Sequence, residues 1–144
     1  MNLTEHFTLE ELTATNHRQF DNTPNDAEMA NLVKLAEFLE QVKAALDGKP
    51  VMISSGFRCK AVNDSVGSRD SSQHRIGAAA DFKVPGMTPD QVVRTIIEAD
   101  LPFDQIIREF SDPVNGGGWT HVSIADKPRR QALIIDKQGT RPFA

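Results

Sequence analysis

Helix-like and strand-like segments succeed one another in this chain without the regular alternation of a βαβ repeat, and that order constrains the fold most. It favours an α+β protein over a doubly wound parallel sheet. The longest helix carries its own punctuation. Asn25 can cap its start, and Glu28 three residues later completes a capping box. Leu32, Leu35, Ala36, Leu39, Val42 and Leu46 then recur at helical spacing until Gly48 stops the run. A second helix is announced by Thr88 as cap, Pro89 at the first helical position and Gln91 closing the box. Val92, Val93, Ile96 and Ile97 face inward, and Pro102 marks the exit. A short helical candidate lies at residues 8–12. The apolar run at 51–55, closed by Gly56, predicts a buried strand. Further strands are expected at 79–84, 105–110, 119–124 and 133–135, with Gly116, Gly117 and Gly118 as the loop between two of them.

A length of 144 residues suits a single domain, residues 1–144, with one core. The net charge of −4 with no basic run argues against nucleic acid as a partner. The one cysteine, Cys59, permits no internal disulfide. No stretch approaches the roughly 18 apolar residues of a membrane span. The start, Met1 to Phe7, lacks the basic and apolar regions of a signal peptide. These features predict a soluble monomer made in the cytoplasm, which another factor must deliver to any substrate outside it.

The chemistry concentrates between Ser71 and Asp81. His74 precedes a glycine that permits a tight turn, and Asp81 lies on the strand that follows, pointing opposite to Phe82 and away from the core. Downstream, Trp119, His121 and Ser123 share one strand face, while Val122 and Ile124 share the other. A carboxylate and an imidazole on the non-core faces of two strands can converge, and His74 can reach the same point from its loop. Two imidazoles and one carboxylate suit zinc, with a fourth position left for water. Spacing alone leaves a second reading open, since a strand histidine is commonly a hydrogen-bonded core residue.

The run Ser54-Ser55-Gly56-Phe57-Arg58, then Asn63, Val66-Gly67, Ser72-Gln73-His74 and Ala80-Asp81, resembles the zinc D-Ala-D-Ala carboxypeptidase family. That family also includes phage endolysins cutting L-Ala-D-Glu bonds and related D,D-dipeptidases. The likeness continues through Phe103-Asp104-Gln105-Ile106-Ile107, Glu109 and Trp119-Thr120-His121-Val122-Ser123, and begins at His6-Phe7-Thr8-Leu9-Glu10-Glu11-Leu12. It implies the hedgehog/DD-peptidase fold, a small mainly antiparallel sheet with surrounding helices. It further implies Zn2+ held by His74, Asp81 and His121, with peptidoglycan stem peptides as substrate.

By the same resemblance Arg58 sits where a guanidinium binds the substrate carboxylate, a role its planar fork suits. Ser72 and Gln73 are candidates to contact substrate or to orient His74, and Trp119 to wall the cleft. Several branches carry a glutamate three residues before the last zinc histidine, and here that position is Gly118. Glu109 is the substitute base expected, with Asp112 behind it. Two other classes of function compete. One is a non-catalytic wall-binding or virion module that has lost its base. The other is a cysteine hydrolase using Cys59, although Cys59 reads better as a small buried hydrophobe. His6 and His17 fall outside the motifs and read as surface or packing residues.

Overall fold

Three helices begin where side chains satisfy the free N–H groups of the first turn. Thr8 caps α1 (Leu9–Thr13), Asn25 caps α2 (Asp26–Ala45), and each is closed into a box by a glutamate, Glu11 and Glu28. A further short helix, α3 (Lys60–Ser65), follows Cys59 without a side-chain cap. Thr88 and Gln91 box the start of α4 (Pro89–Glu98), as its sequence predicts. The computed structural model describes residues 1–112 and 114–143.

Among the described residues six strands form one sheet: β1 (Met52–Ser55), β2 (Ala79–Lys83), β3 (Gln105–Asp112), β4 (Gly117–Ser123), β5 (Gln131–Asp136) and β6 (Gly139–Pro142). Their order is β1-β2-β4-β3-β5-β6. Every neighbouring pair is antiparallel except β3 with β5, which run parallel. This is the mainly antiparallel α+β arrangement expected.

One face of the sheet is covered by helices. Ala80, Phe82, Ile106 and Val122 point into a cluster with Leu32, Leu35, Leu39 and Val42 of α2 and Val92, Val93 and Ile96 of α4. Phe38 also joins this core, outside the stripe read from the sequence, because α2 is contacted from more than one side. Burying each such side chain contributes about 1.5–3 kcal/mol, so α2 is held mainly by its apolar face. The opposite face bears Asp81, His121 and Ile107, which line a cleft.

Several local expectations change. The strand expected to be buried at 51–55 is an edge strand with alternating exposure; Val51 is buried, but Met52 is 56% exposed. Gly117 and Gly118 belong to β4, and β3 runs on to Asp112, so the glycine run is mostly strand. The short strand at 133–135 extends to both sides through its pairing with β3 and β6. Neither β6, α3 nor the 3-10 turn at Gln73–Ile76 follows from the hydrophobic pattern. None of the described helices is long and apolar enough to cross a membrane.

Candidate metal centre

Antiparallel pairing places Asp81 of β2 directly beside His121 of β4. His74 comes from the 3-10 turn, which Ser72 caps by accepting from the His74 backbone N–H at 3.3 Å. The turn ends at Gly77 with φ +75°, where a Cβ would meet the Glu28 carbonyl oxygen at 2.7 Å. Only glycine permits that close passage against α2, and it returns the chain into β2. One donor atom from each of His74, Asp81 and His121 lies within 4.8 Å of the others.

The hydrogen bonds around this triad identify its free lone pairs. His74 Nδ1 lies 2.7 Å from the Gly56 carbonyl, which can only accept, so Nδ1 carries a proton. Burial first of all lowers the His74 pKa, outweighing the nearby Asp81, so the ring is neutral and Nε2 is a bare lone pair. That lone pair faces Asp81 Oδ2 at 3.5 Å. Two acceptors facing one another in a buried site call for a cation between them. Asp81 Oδ1 accepts from His121 Nδ1 at 2.8 Å. Burial works to raise the Asp81 pKa, but the hydrogen bond from His121 foremost prevails and holds it well below the carboxylate range. The donor set is thus one anion and two imidazoles, one of them fixed in its tautomer by a backbone carbonyl, which fits a divalent metal.

All eight residues singled out from the sequence line one cleft of about 730 Å³. The Arg58 guanidinium, 15% exposed, donates to Ser55 Oγ at 3.1 Å and to Asp81 Oδ2 at 3.4 Å. Glu109 of β3 pairs with Trp119 of β4, and Trp119 Nε1 donates to its Oε2 at 2.8 Å. Burial, followed by the charge of Asp81, raises the Glu109 pKa. Trp119 stacks on Phe110, with ring centroids 5.5 Å apart.

The geometry also accounts for Gly118. The register slips between Glu109 and Asp112, a β-bulge in which Phe110 takes φ +50°. A Cβ on Gly118, itself at φ +91°, would meet the Glu109 and Phe110 carbonyl oxygens at 2.5 and 2.6 Å. No glutamate fits at 118 in this backbone.

Other candidates lie elsewhere. Asp112 accepts from the Val114 and Asn115 backbones and from the Asn115 amide, turned into its own loop and outside the cleft. Cys59 is half-buried, and His6 pairs with Glu40 at 2.7 Å on the surface. Residues not singled out from the sequence also bear on the site. Asn22 donates to the Thr13 and Phe57 carbonyls and accepts from the Cys59 N–H, tying the N-terminal loop to the segment carrying Arg58. Buried Asp104 accepts from the Gln73 amide at 3.0 Å and from Arg129. Asp104 stands in the motif Phe103-Asp104-Gln105-Ile106-Ile107, where the sequence assigns it no role.

A two-histidine, one-carboxylate set in a cleft, with a half-buried carboxyl group of raised pKa beside it, suits metal-dependent hydrolysis. The family model Peptidase M15 matches residues 5–123, and the chain belongs to that peptidase family. Peptidases of this family are metal-dependent, and His74, Asp81 and His121 are the residues here that could hold the ion. A comparison with curated proteins finds no match.

Proposed function

We propose that the chain is a zinc peptidase that hydrolyses a stem-peptide bond of bacterial peptidoglycan, in cell-wall degradation of the kind phage endolysins perform. The observation that carries this reading is the cleft itself, where the His74–Asp81–His121 triad, the Arg58 guanidinium and the Glu109 carboxyl group line one cavity. Zinc at the triad supplies Lewis acidity, lowering the pKa of a water and polarising the scissile carbonyl.

The chain's own residues do the rest. Glu109, whose pKa burial raises, takes in its carboxylate form the proton of the attacking water and returns it to the leaving amine. Its bond from Trp119 Nε1 fixes the carboxylate while leaving Oε1 for this exchange. Arg58 grips a substrate carboxylate and orients the peptide. Ser72 and Gln73 act by holding the turn that presents His74, because the Gln73 amide is taken up by Asp104 and the Ile124 carbonyl. The chain works as a monomer and as one domain.

The competing non-catalytic reading draws its support from the missing glutamate at 118. Glu109 in the cleft supplies an alternative base and favours catalysis. Incubation of purified peptidoglycan with the zinc-loaded chain, followed by mass analysis of released fragments, tests this. New termini at one stem-peptide bond, abolished by a chelator and restored by zinc, are expected. An intact polymer at full zinc occupancy would establish the binding module instead.

A further inference from the structure

The cleft does not stop at the metal triad. It continues over β4 and β3 to Leu133 and Ile135 of β5, and to Arg129 in the loop before that strand. The register shows why. Asp81 pairs with His121, His121 with Ile107, and Ile107 with Leu133, so these four residues form one row across four strands. At about 4.8 Å per strand, Leu133 lies on the order of 10 Å beyond His121, roughly three residues of extended peptide. The family match ends at residue 123, so this far wall is built from residues beyond it.

Arg129 is held there with unusual completeness for a loop side chain. Its backbone N–H and Nε donate to Asp104 Oδ1 at 2.9 and 3.0 Å, and Nη2 donates to Oδ2 at 2.7 Å. Those contacts use Nε and Nη2, and Nη1 takes no part in them. Asp104 is buried, with its side chain 3% exposed, whereas the Arg129 side chain is 57% exposed, so the pair presents its cationic end to the cleft. A guanidinium fixed before binding spends little conformational entropy when it meets an anion. Ile107, Leu133 and Ile135 provide an aliphatic floor beside it.

We propose that Arg129, clamped by Asp104, and this aliphatic floor form a second substrate site that recognises a substrate carboxylate away from the scissile bond. The site selects an extended acidic peptide rather than a terminal dipeptide. This inference deepens the peptidase reading above and rests on it.

The test is titration calorimetry of the zinc-loaded chain carrying Glu109→Gln, which keeps the peptide intact. Two synthetic stem tetrapeptides are compared, identical except that the interior carboxylates are free or amidated. The free acid should bind more tightly. Adding Arg129→Gln should reduce the acid-to-amide affinity ratio by about tenfold, the worth of a charge-assisted contact. Because that change strands a buried carboxylate, Asp104→Asn/Arg129→Gln serves as a charge-balanced second variant and should show the same reduced ratio. A ratio unaltered in both variants, or no acid preference before Arg129 is changed, overturns the site. Digestion of the same peptides by the unsubstituted chain separates the two readings. Acid preference without cleavage would leave the Arg129 site and remove the peptidase, and cleavage at a site indifferent to Arg129 would do the reverse.

Discussion

His74 does its work through a proton held at the far side of its ring. With Nδ1–H given to the Gly56 carbonyl, Nε2 is committed as an acceptor and the triad is arranged for a cation. One zinc per chain is therefore expected by elemental analysis, and His74→Ala or His121→Ala should lose metal and activity together. A fully metallated His121→Ala protein with unchanged turnover would refute the ligand assignment. Glu109→Gln keeps the shape and the Trp119 contact but removes the proton acceptor. Zinc should stay bound while turnover drops by roughly 10²–10⁴, the usual worth of general acid–base catalysis. The sign of the pH dependence follows from burial. The base acts when deprotonated and its pKa is raised, so kcat/KM should climb with pH through a value above that of an ordinary glutamate. The residual activity of the Glu109→Gln variant should lack that rising limb. Arg58→Ala should lower kcat/KM by about tenfold or more, the loss of one charge-assisted pair. A normal kcat/KM in that variant would make Arg58 a structural partner of Asp81 alone.

At the scale of elements, the β3–β4 pair sets the direction of the base. The alternation of Gln105, Ile107 and Glu109 was legible in the sequence, as was the opposite face with Ile106, because a strand has a period of two. The bulge was not. Gly116, Gly117 and Gly118 read as a loop because a glycine run by itself carries no pairing information, and a bulge exists only between two strands. Gly118→Ala adds a Cβ against two carbonyl oxygens at a positive φ. It should destabilise the chain by about 1–3 kcal/mol, the range for strained backbone, and lower turnover while zinc at His121 is retained. Thermal unfolding and metal content measured on one preparation check this. Restored activity in a Gly118→Glu/Glu109→Gln double variant would show that position 118 can host the base after all.

Across the whole molecule, Asp104 joins parts far apart in sequence: the His74 turn through Gln73, the start of β3, and the loop before β5 through Arg129. The hydrogen bonds from Arg129, foremost, hold its carboxyl down to about 2, against 3.8 in the unfolded chain. A depressed carboxylate contributes stability above its unfolded pKa and loses it as pH falls through the folded one. The stability difference between the native chain and Asp104→Asn should therefore be largest near neutral pH and shrink between about pH 4 and 2, as measured by urea unfolding. An equal difference at both ends would remove the linkage.

What the sequence determined by itself is what local chemistry encodes. The caps at Asn25 and Thr88, the inward stripe of α2, the α+β class and the opposition of Asp81 to Phe82 all follow from side chains within a few residues of one another. The candidate site residues were legible through motif resemblance, and the fold brings all eight to one cleft. Tertiary structure alone decided the rest. The exposed edge of β1, the parallel docking of β5 on β3, the exclusion of a side chain at 118 and the clamp of Arg129 by Asp104 each depend on a partner distant in sequence. Such pairings are fixed by which surfaces meet when the core closes, and no local pattern records that.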